Sequence, residues 1–182
     1  MYIFALIIAA ALIISIFSTN WPVKFYHHAQ LMKLGQKLGV DPVKHGLFFS
    51  GVYSELRFQR GGKEIMVRFL EGSADSLFAN SGLEVRVNTG STSIIQIFRV
   101  KAGKSEWGEF KRFLTSNQEV DSQWFILTDD PVNTKKYWEI SKIEKVLVNK
   151  YLEQVQINQG EIVLKFRRMI DSEQITELIE SV

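Results

Sequence analysis

The chain opens on an unbroken apolar run. No side chain from Met1 to Val23 is charged, and residues 2–17 (YIFALIIAAALIISIF) are apolar apart from Ser15 and the Tyr2 hydroxyl. A helix of that composition has no polar side to turn to water. The 20 residues from Tyr2 to Trp21 are about the number that crosses ~30 Å of hydrocarbon, so residues 1–23 are predicted to form one transmembrane helix. Tyr2, Trp21, Lys24 and Tyr26 fall where aromatic and basic side chains meet a membrane interface. A cleaved signal is disfavoured, because Met1-Tyr2-Ile3 carries no Lys or Arg and residues 15–20 hold no Ala-x-Ala pattern. Lys24, Lys33, Lys37 and Lys44 come after the run with one acid, Asp41, among them. The positive-inside tendency then puts the rest of the chain in the cytoplasm.

Beyond Trp21-Pro22 the pattern changes twice. Residues 24–38 repeat at helical spacing, with Phe25, Leu31, Met32, Leu34 and Leu38 apolar and Lys33, Gln36 and Lys37 polar, and Gly39 with Asp41-Pro42 ends the repeat. Residues 24–45 are therefore read as an amphipathic helix and its connection. It either lies among lipid headgroups or forms the first core helix of the soluble domain. From there the period is two. Leu56 and Phe58 alternate with polar neighbours, Gly61-Gly62 suits a tight primed turn, and Ile65, Val67 and Phe69 alternate on the return. A second hairpin is expected from residues 83–88 turning at Asn88-Thr89-Gly90-Ser91 into residues 92–101, and a third from Val155 and Ile157 through Asn158-Gln159-Gly160 to Ile162, Leu164 and Phe166. Between them, residues 105–115 read as a short helix or a crossing loop, 123–128 as an apolar strand, and 131–149 as the longest soluble helix, started by Asp130-Pro131. Asp171 or Ser172 starts a last helix with Ile175, Leu178, Ile179 and Val182 in one stripe.

Hairpins with helices inserted between them, rather than alternating one for one, predict an α+β fold. The expectation is an N-terminal transmembrane helix and then a single domain, residues 46–182, of mainly antiparallel hairpins packed with two to three helices. Phe69, Val85, Phe125, Leu147 and Leu164 sit on the apolar phase of their elements and are the expected core.

Composition narrows the function more than the fold. The 182 residues include no Cys, which removes thiolate nucleophiles, Cys-based zinc and iron–sulfur sites and covalent haem attachment. The net charge of +2 is too small for a nucleic-acid partner. Charge is uneven, however, with 8 basic and 3 acidic side chains in residues 1–70 and 14 and 17 in residues 71–182.

Motifs of metalloproteases, phosphate loops, nucleophile elbows and dinucleotide-binding turns are absent from the sequence. His27-His28 is the one pair of side chains suited to a haem or a transition metal, but neighbouring helical residues point about 100° apart. Asp121, Asp129 and Asp130 contain oxygen ligands, and helix capping explains Asp130 without a metal. Neither a cofactor nor a metal is expected. Trp107, Trp124, Tyr137, Trp138 and Tyr151 serve as core or as a protein-binding face. Ala5-xxx-Ala9 and Ala11-xxx-Ser15 are small-residue pairs that allow close helix approach, making Ala5, Ala9, Ala11 and Ser15 the expected helix-packing positions. These observations together suggest a non-catalytic single-pass accessory subunit, with membrane lipid and the transmembrane helices of a larger complex as partners. The alternative is a tethered domain that binds or senses a soluble protein or small ligand.

Overall fold

A computed structural model of the chain describes residues 2–18, 21–45, 53–70, 82–88, 93–100 and 109–181. Among them are six helices, α1 (Tyr2–Ser18), α2 (Trp21–Leu38), α3 (Gln118–Gln123), α4 (Pro131–Ile140), α5 (Ile143–Leu147) and α6 (Ser172–Ser181). Nine strands accompany them: β1 (Val43–His45), β2 (Tyr53–Arg60), β3 (Lys63–Phe69), β4 (Leu83–Asn88), β5 (Ile95–Arg99), β6 (Lys111–Phe113), β7 (Trp124–Thr128), β8 (Leu152–Asn158) and β9 (Glu161–Phe166). All nine join one antiparallel sheet in the order β1-β2-β3-β4-β9-β8-β5-β7-β6. The α+β domain expected from the hairpin pattern is present.

The two hairpins with tight Gly turns form as expected. Gly61 and Gly62 have φ of 59° and 77°, the two positive values that a type I′ turn requires and that match the twist of the strands it joins. Gly160, with φ of 82°, closes β8 onto β9. The second hairpin does not form. β4 pairs with β3 and β9, while β5 pairs with β7 and β8, so the β8–β9 hairpin lies between β4 and β5. A turn-like connection constrains two strands only locally, and here two further strands compete successfully for the intervening edge.

One face of the sheet carries the core. Leu56, Val67, Val85, Leu164, Val155, Ile97 and Ile126 are successive cross-strand neighbours from β2 to β7, and all seven are at most 1% exposed. Burying each such side chain is worth roughly 1.5–3 kcal/mol. Leu31 and Leu34 of α2, Trp138 of α4, Ile143 and Leu147 of α5, and Ile175, Leu178 and Ile179 of α6 cluster with that row. Gly35 permits the close seat of α2: a Cβ there would meet the Val40 carbonyl oxygen at 2.2 Å and the Leu56 side chain at 3.0 Å. Of the five expected core residues, Val85, Leu147 and Leu164 are buried, and Phe69 and Phe125 are half-buried.

Three expectations about helices need correction. Residues 131–149 are not one helix. α4 buries Thr134 and Trp138, α5 buries Ile143, Val146 and Leu147, and the break at Ser141-Lys142 leaves Ile140 85% exposed. In a continuous helix Ile143 would stand about 140° round the axis from Trp138, so the break lets both stripes reach the same core. Phe113, in residues 105–115, belongs to strand β6 and pairs with Ile126.

The third correction concerns the membrane span. α1 ends at Ser18 after 17 residues, about 25 Å at 1.5 Å per residue. Trp21, expected at the end of the same helix, instead begins α2, which carries Lys24, Lys33 and Lys37. No helix among the described residues is long and apolar enough to cross a membrane. The single-pass placement and its orientation fall with it.

Candidate functional site

α1 lies outside the core. Tyr2, Ile3, Phe4, Leu6, Ile7, Ile8, Leu12, Ile13 and Ile14 are each between 48% and 87% exposed, and Ala5, Ala9 and Ala11 are exposed as well. The side chain of Ser15 lies outside the described residues. Ala5 and Ala9 share one side of the helix, whereas Ala11 is about 200° further round than Ala9, so the two small-residue pairs form two strips instead of one.

α2 is a core helix and does not lie flat on lipid. His28 Nδ1 is 2.9 Å from the Ser54 hydroxyl at the start of β2, and the His27 ring stacks on Phe69 at the end of β3, with centroids 4.2 Å apart and planes within 9°. Burial lowers the pKa of both imidazoles below the ordinary 6.5, helped for His28 by the nearby Lys44 charge. The pair thus faces two different strands and forms no shared ligand set. Nearer the start of α2, Lys24 is half-buried and Tyr26 57% exposed, and the Trp21 side chain lies outside the described residues.

The three aspartates separate in the same way. Asp121 Oδ1 accepts from the Thr115 amide and hydroxyl at 2.9 and 3.0 Å. Asp129 Oδ1 accepts from the Ile94 amide at 3.1 Å. Asp130 caps α4 through the Val132 and Asn133 amides, and those bonds hold its carboxyl below the usual range, with Asn133 the largest cause. Among the described residues no group of three His, Cys, Asp or Glu side chains is placed to hold a metal ion. A groove of about 470 Å³ between α5 and α6 is lined by Lys142, Lys145, Glu177 and Glu180, charges of both signs with no convergent arrangement.

Of the aromatics singled out in the sequence, Trp124 and Trp138 are core, Tyr137 and Tyr151 pack half-buried against it, and Trp107 lies outside the described residues. Tyr151 does more than pack. The Arg168 guanidinium lies 3.5 Å from its ring centroid, the Lys150 ammonium 5.0 Å and the Arg167 guanidinium 5.8 Å. Arg99 stands beside them over Trp124 at 4.7 Å. Its nitrogens donate to the Leu152 and Asn149 carbonyls at 2.7 and 3.0 Å. Sequence reasoning missed this cluster. The signal was present in the third hairpin, whose open ends begin with Lys150-Tyr151 and finish with Arg167-Arg168; hairpin pairing brings such ends together, and the Arg167 amide donates to the Tyr151 carbonyl at 3.0 Å.

This cluster lies at one end of the sheet. Phe69, Leu83, Phe166 and Leu152 are cross-strand neighbours in one row. His27 of α2 stacks over Phe69 in that row and Gly35 farther along α2 sits against Leu56, so His27 marks the same end of the sheet at which Arg167 and Arg168 follow β9.

The opposite face of the sheet is charged but internally paired. Arg68 and Arg86 both donate to Oε1 of the buried Glu84, at 2.8 and 2.7 Å, and Arg86 also reaches Glu161 at 3.5 Å. The Glu84 bond raises the Arg86 pKa further above its ordinary value. Arg57 pairs with Glu55.

No family model matches this chain, and no curated protein matches it in sequence. Among solved structures, the chain is similar in fold to the crystal structure of the mycobacterial trehalose monomycolate transport factor A, TtfA, at 6% sequence identity, with a TM-score of 0.56 over 82% of this chain and 86% of that one. What this likeness shows is the fold, an antiparallel sheet with helices, and nothing of the site.

Proposed function

We propose that the protein is a non-catalytic accessory subunit that docks on a larger protein assembly by burying α1 among apolar helices of that assembly. The observation that carries the reading is the exposure of nine large apolar side chains on one 17-residue helix. The largest apolar patch on a typical monomer spans about 300–600 Å² and is often functional, and a helix apolar on all sides belongs in an interior. Covering each side chain fully is worth roughly 1.5–3 kcal/mol, so covering nine is comparable with or larger than the roughly 4–15 kcal/mol lost on association. The short connection between α1 and the core helix α2 would hold the sheet domain against the same partner.

The test is native sizing of the full chain after gentle extraction from its source cells. A large species of fixed stoichiometry is expected, and the paired substitution Ile7→Gln with Ile14→Gln should release the chain from it. A monodisperse free chain, or a complex indifferent to both substitutions, overturns the reading.

A further inference from the structure

Four arginines of this fold are paired with carboxylates. Arg57, Arg60, Arg68 and Arg86 each reach a carboxylate, from Glu55, Glu180, Glu84 and, again for Arg86, Glu161. Lys150, Arg167 and Arg168 reach none among the described residues, although all three surround the ring of Tyr151 within 5.8 Å of its centroid. Arg99, spent on two backbone carbonyls beside them, adds a fourth positive charge.

Holding like charges this close costs free energy unless an anion joins them. The geometry of the site favours one kind of anion. The Arg168 guanidinium lies 3.5 Å from the Tyr151 ring centroid, and a guanidinium presents a fork of donors suited to two oxygens of one group. Arg167 spends one nitrogen on the Lys150 carbonyl at 3.3 Å, which links the two ends of the hairpin and leaves its other nitrogens to a ligand. Lys150 adds a point charge from the other end of the hairpin. Three cations around one aromatic ring match a tetrahedral oxyanion with two or more free oxygens better than a single carboxylate.

We propose that Lys150, Arg167 and Arg168, seated on Tyr151, form a recognition site for a phosphate group, carried either by a lipid headgroup or by a free phosphate ester. The site stands apart from the docking role of α1.

Two arms separate the two sources. In the first, the full chain in a zwitterionic detergent is titrated with inorganic phosphate while the Arg Nε–H and Tyr ring resonances are tracked by NMR. Saturable shifts at Arg167, Arg168 and Tyr151 support a free phosphate. In the second, the full chain is sedimented with vesicles of phosphatidylcholine alone and of phosphatidylcholine with one-third phosphatidylglycerol. α1 contributes to both, so the difference between the two vesicle types reports the cluster. A preference for the anionic vesicles that falls about fivefold for each cation removed, and so about 25-fold for Arg167→Gln with Arg168→Gln, supports a headgroup. The control pair Lys135→Gln with Lys136→Gln, exposed on α4, lowers net charge equally and should leave either signal unchanged. Loss of the signal in the control pair as large as in the arginine pair would reduce the effect to net charge and overturn the site. Absence of both signals in the parent chain overturns it outright. Because neither arm uses the partner assembly, failure here leaves the docking reading standing, and failure of docking leaves this site standing.

Discussion

α1 and α6 are helices of the same chain, yet their side chains are placed in opposite ways. α6 divides its ten residues by face: Ile175, Leu178 and Ile179 are at most 5% exposed, while Glu173 and Glu180 face water. Asp171 Oδ1 accepts from the Gln174 amide at 2.8 Å and closes its first turn. α1 has no such division, and its apolar side chains stand out on every side. An amphipathic stripe needs one surface, and the sheet supplies it. An all-round apolar helix needs an enclosure, which a single sheet face does not provide. The difference teaches where the chain's own information stops: α6 is stabilised by what this sequence folds into, and α1 finds no such cover among the described residues.

The largest expected effect tests that contrast directly. Ile175→Ala empties a fully buried site and should cost about 2–5 kcal/mol in urea unfolding, whereas Ile8→Ala on α1 should shift stability by no more than about 0.5 kcal/mol. Equal shifts would mean that α1 packs on its own domain. A smaller effect is expected for association: Ala9→Leu adds bulk to the Ala5–Ala9 strip and should weaken recruitment into the partner assembly about tenfold, within the roughly 1–3 kcal/mol range of overpacking. Ile13→Leu changes shape without adding bulk and should leave recruitment intact. Co-purification of Ala9→Leu at parental yield would reduce that strip to ordinary helix surface.

How much of this was legible in the sequence depends on the range of the interaction concerned. The β2–β3 and β8–β9 hairpins and α6 were legible because each is decided within about 15 residues by alternation, a Gly turn or a cap. The neighbours of β4 and β5 were not, because strand order is settled by contacts between segments far apart in the chain, such as Val85 with Leu164 and Ile97 with Val155. The α4–α5 break contains neither Gly nor Pro; its trace was the phase slip between Trp138 and Ile143, visible once both are required to be buried. α3, six residues capped by Asn117, is too short for periodicity to reveal. At the site, the exposed apolar run was evident from its composition, but its length as one helix was not, since apolar residues alone do not mark a break that falls before Pro22. The Tyr151 cluster was hidden because its members lie at both ends of a hairpin and meet only in three dimensions.

A third prediction sharpens the inward side of the comparison. The Trp138 indole donates to Glu144 Oε1 at 2.7 Å, and Asn117 donates to Glu144 Oε2 at 3.1 Å, so one carboxylate ties α4, α5 and the cap of α3 together. Trp138→Phe keeps most of the packing and removes the donor, leaving a half-buried carboxylate oxygen short of a partner. A loss of about 1–3 kcal/mol is expected, read as a lower urea midpoint with unchanged m-value. If Glu144→Gln in the Trp138→Phe background costs as much as it does alone, the two side chains are not coupled.

The smallest effect lies in α2, which joins the outward helix to the inward core. Burial between α2 and Phe69 holds the His27 pKa below its ordinary 6.5. The unfolded chain therefore takes up a proton at a higher pH than the folded one, and protonation favours unfolding. The contribution of His27 to stability is complete above about pH 6.5 and is lost as pH falls from there towards its folded value. His28, also lowered, adds a slope of the same sign, with the Lys44 charge opposing its protonation. Urea midpoints should accordingly decline as pH falls below about 6.5, ahead of the carboxylates, whose ordinary pKa values lie near 4. His27→Phe preserves an aromatic ring on Phe69 and should flatten much of that decline, and His28→Gln should flatten the remainder. A parental slope that survives both substitutions would place its origin elsewhere, and the seat of α2 on the sheet would then owe nothing to the neutral state of these imidazoles.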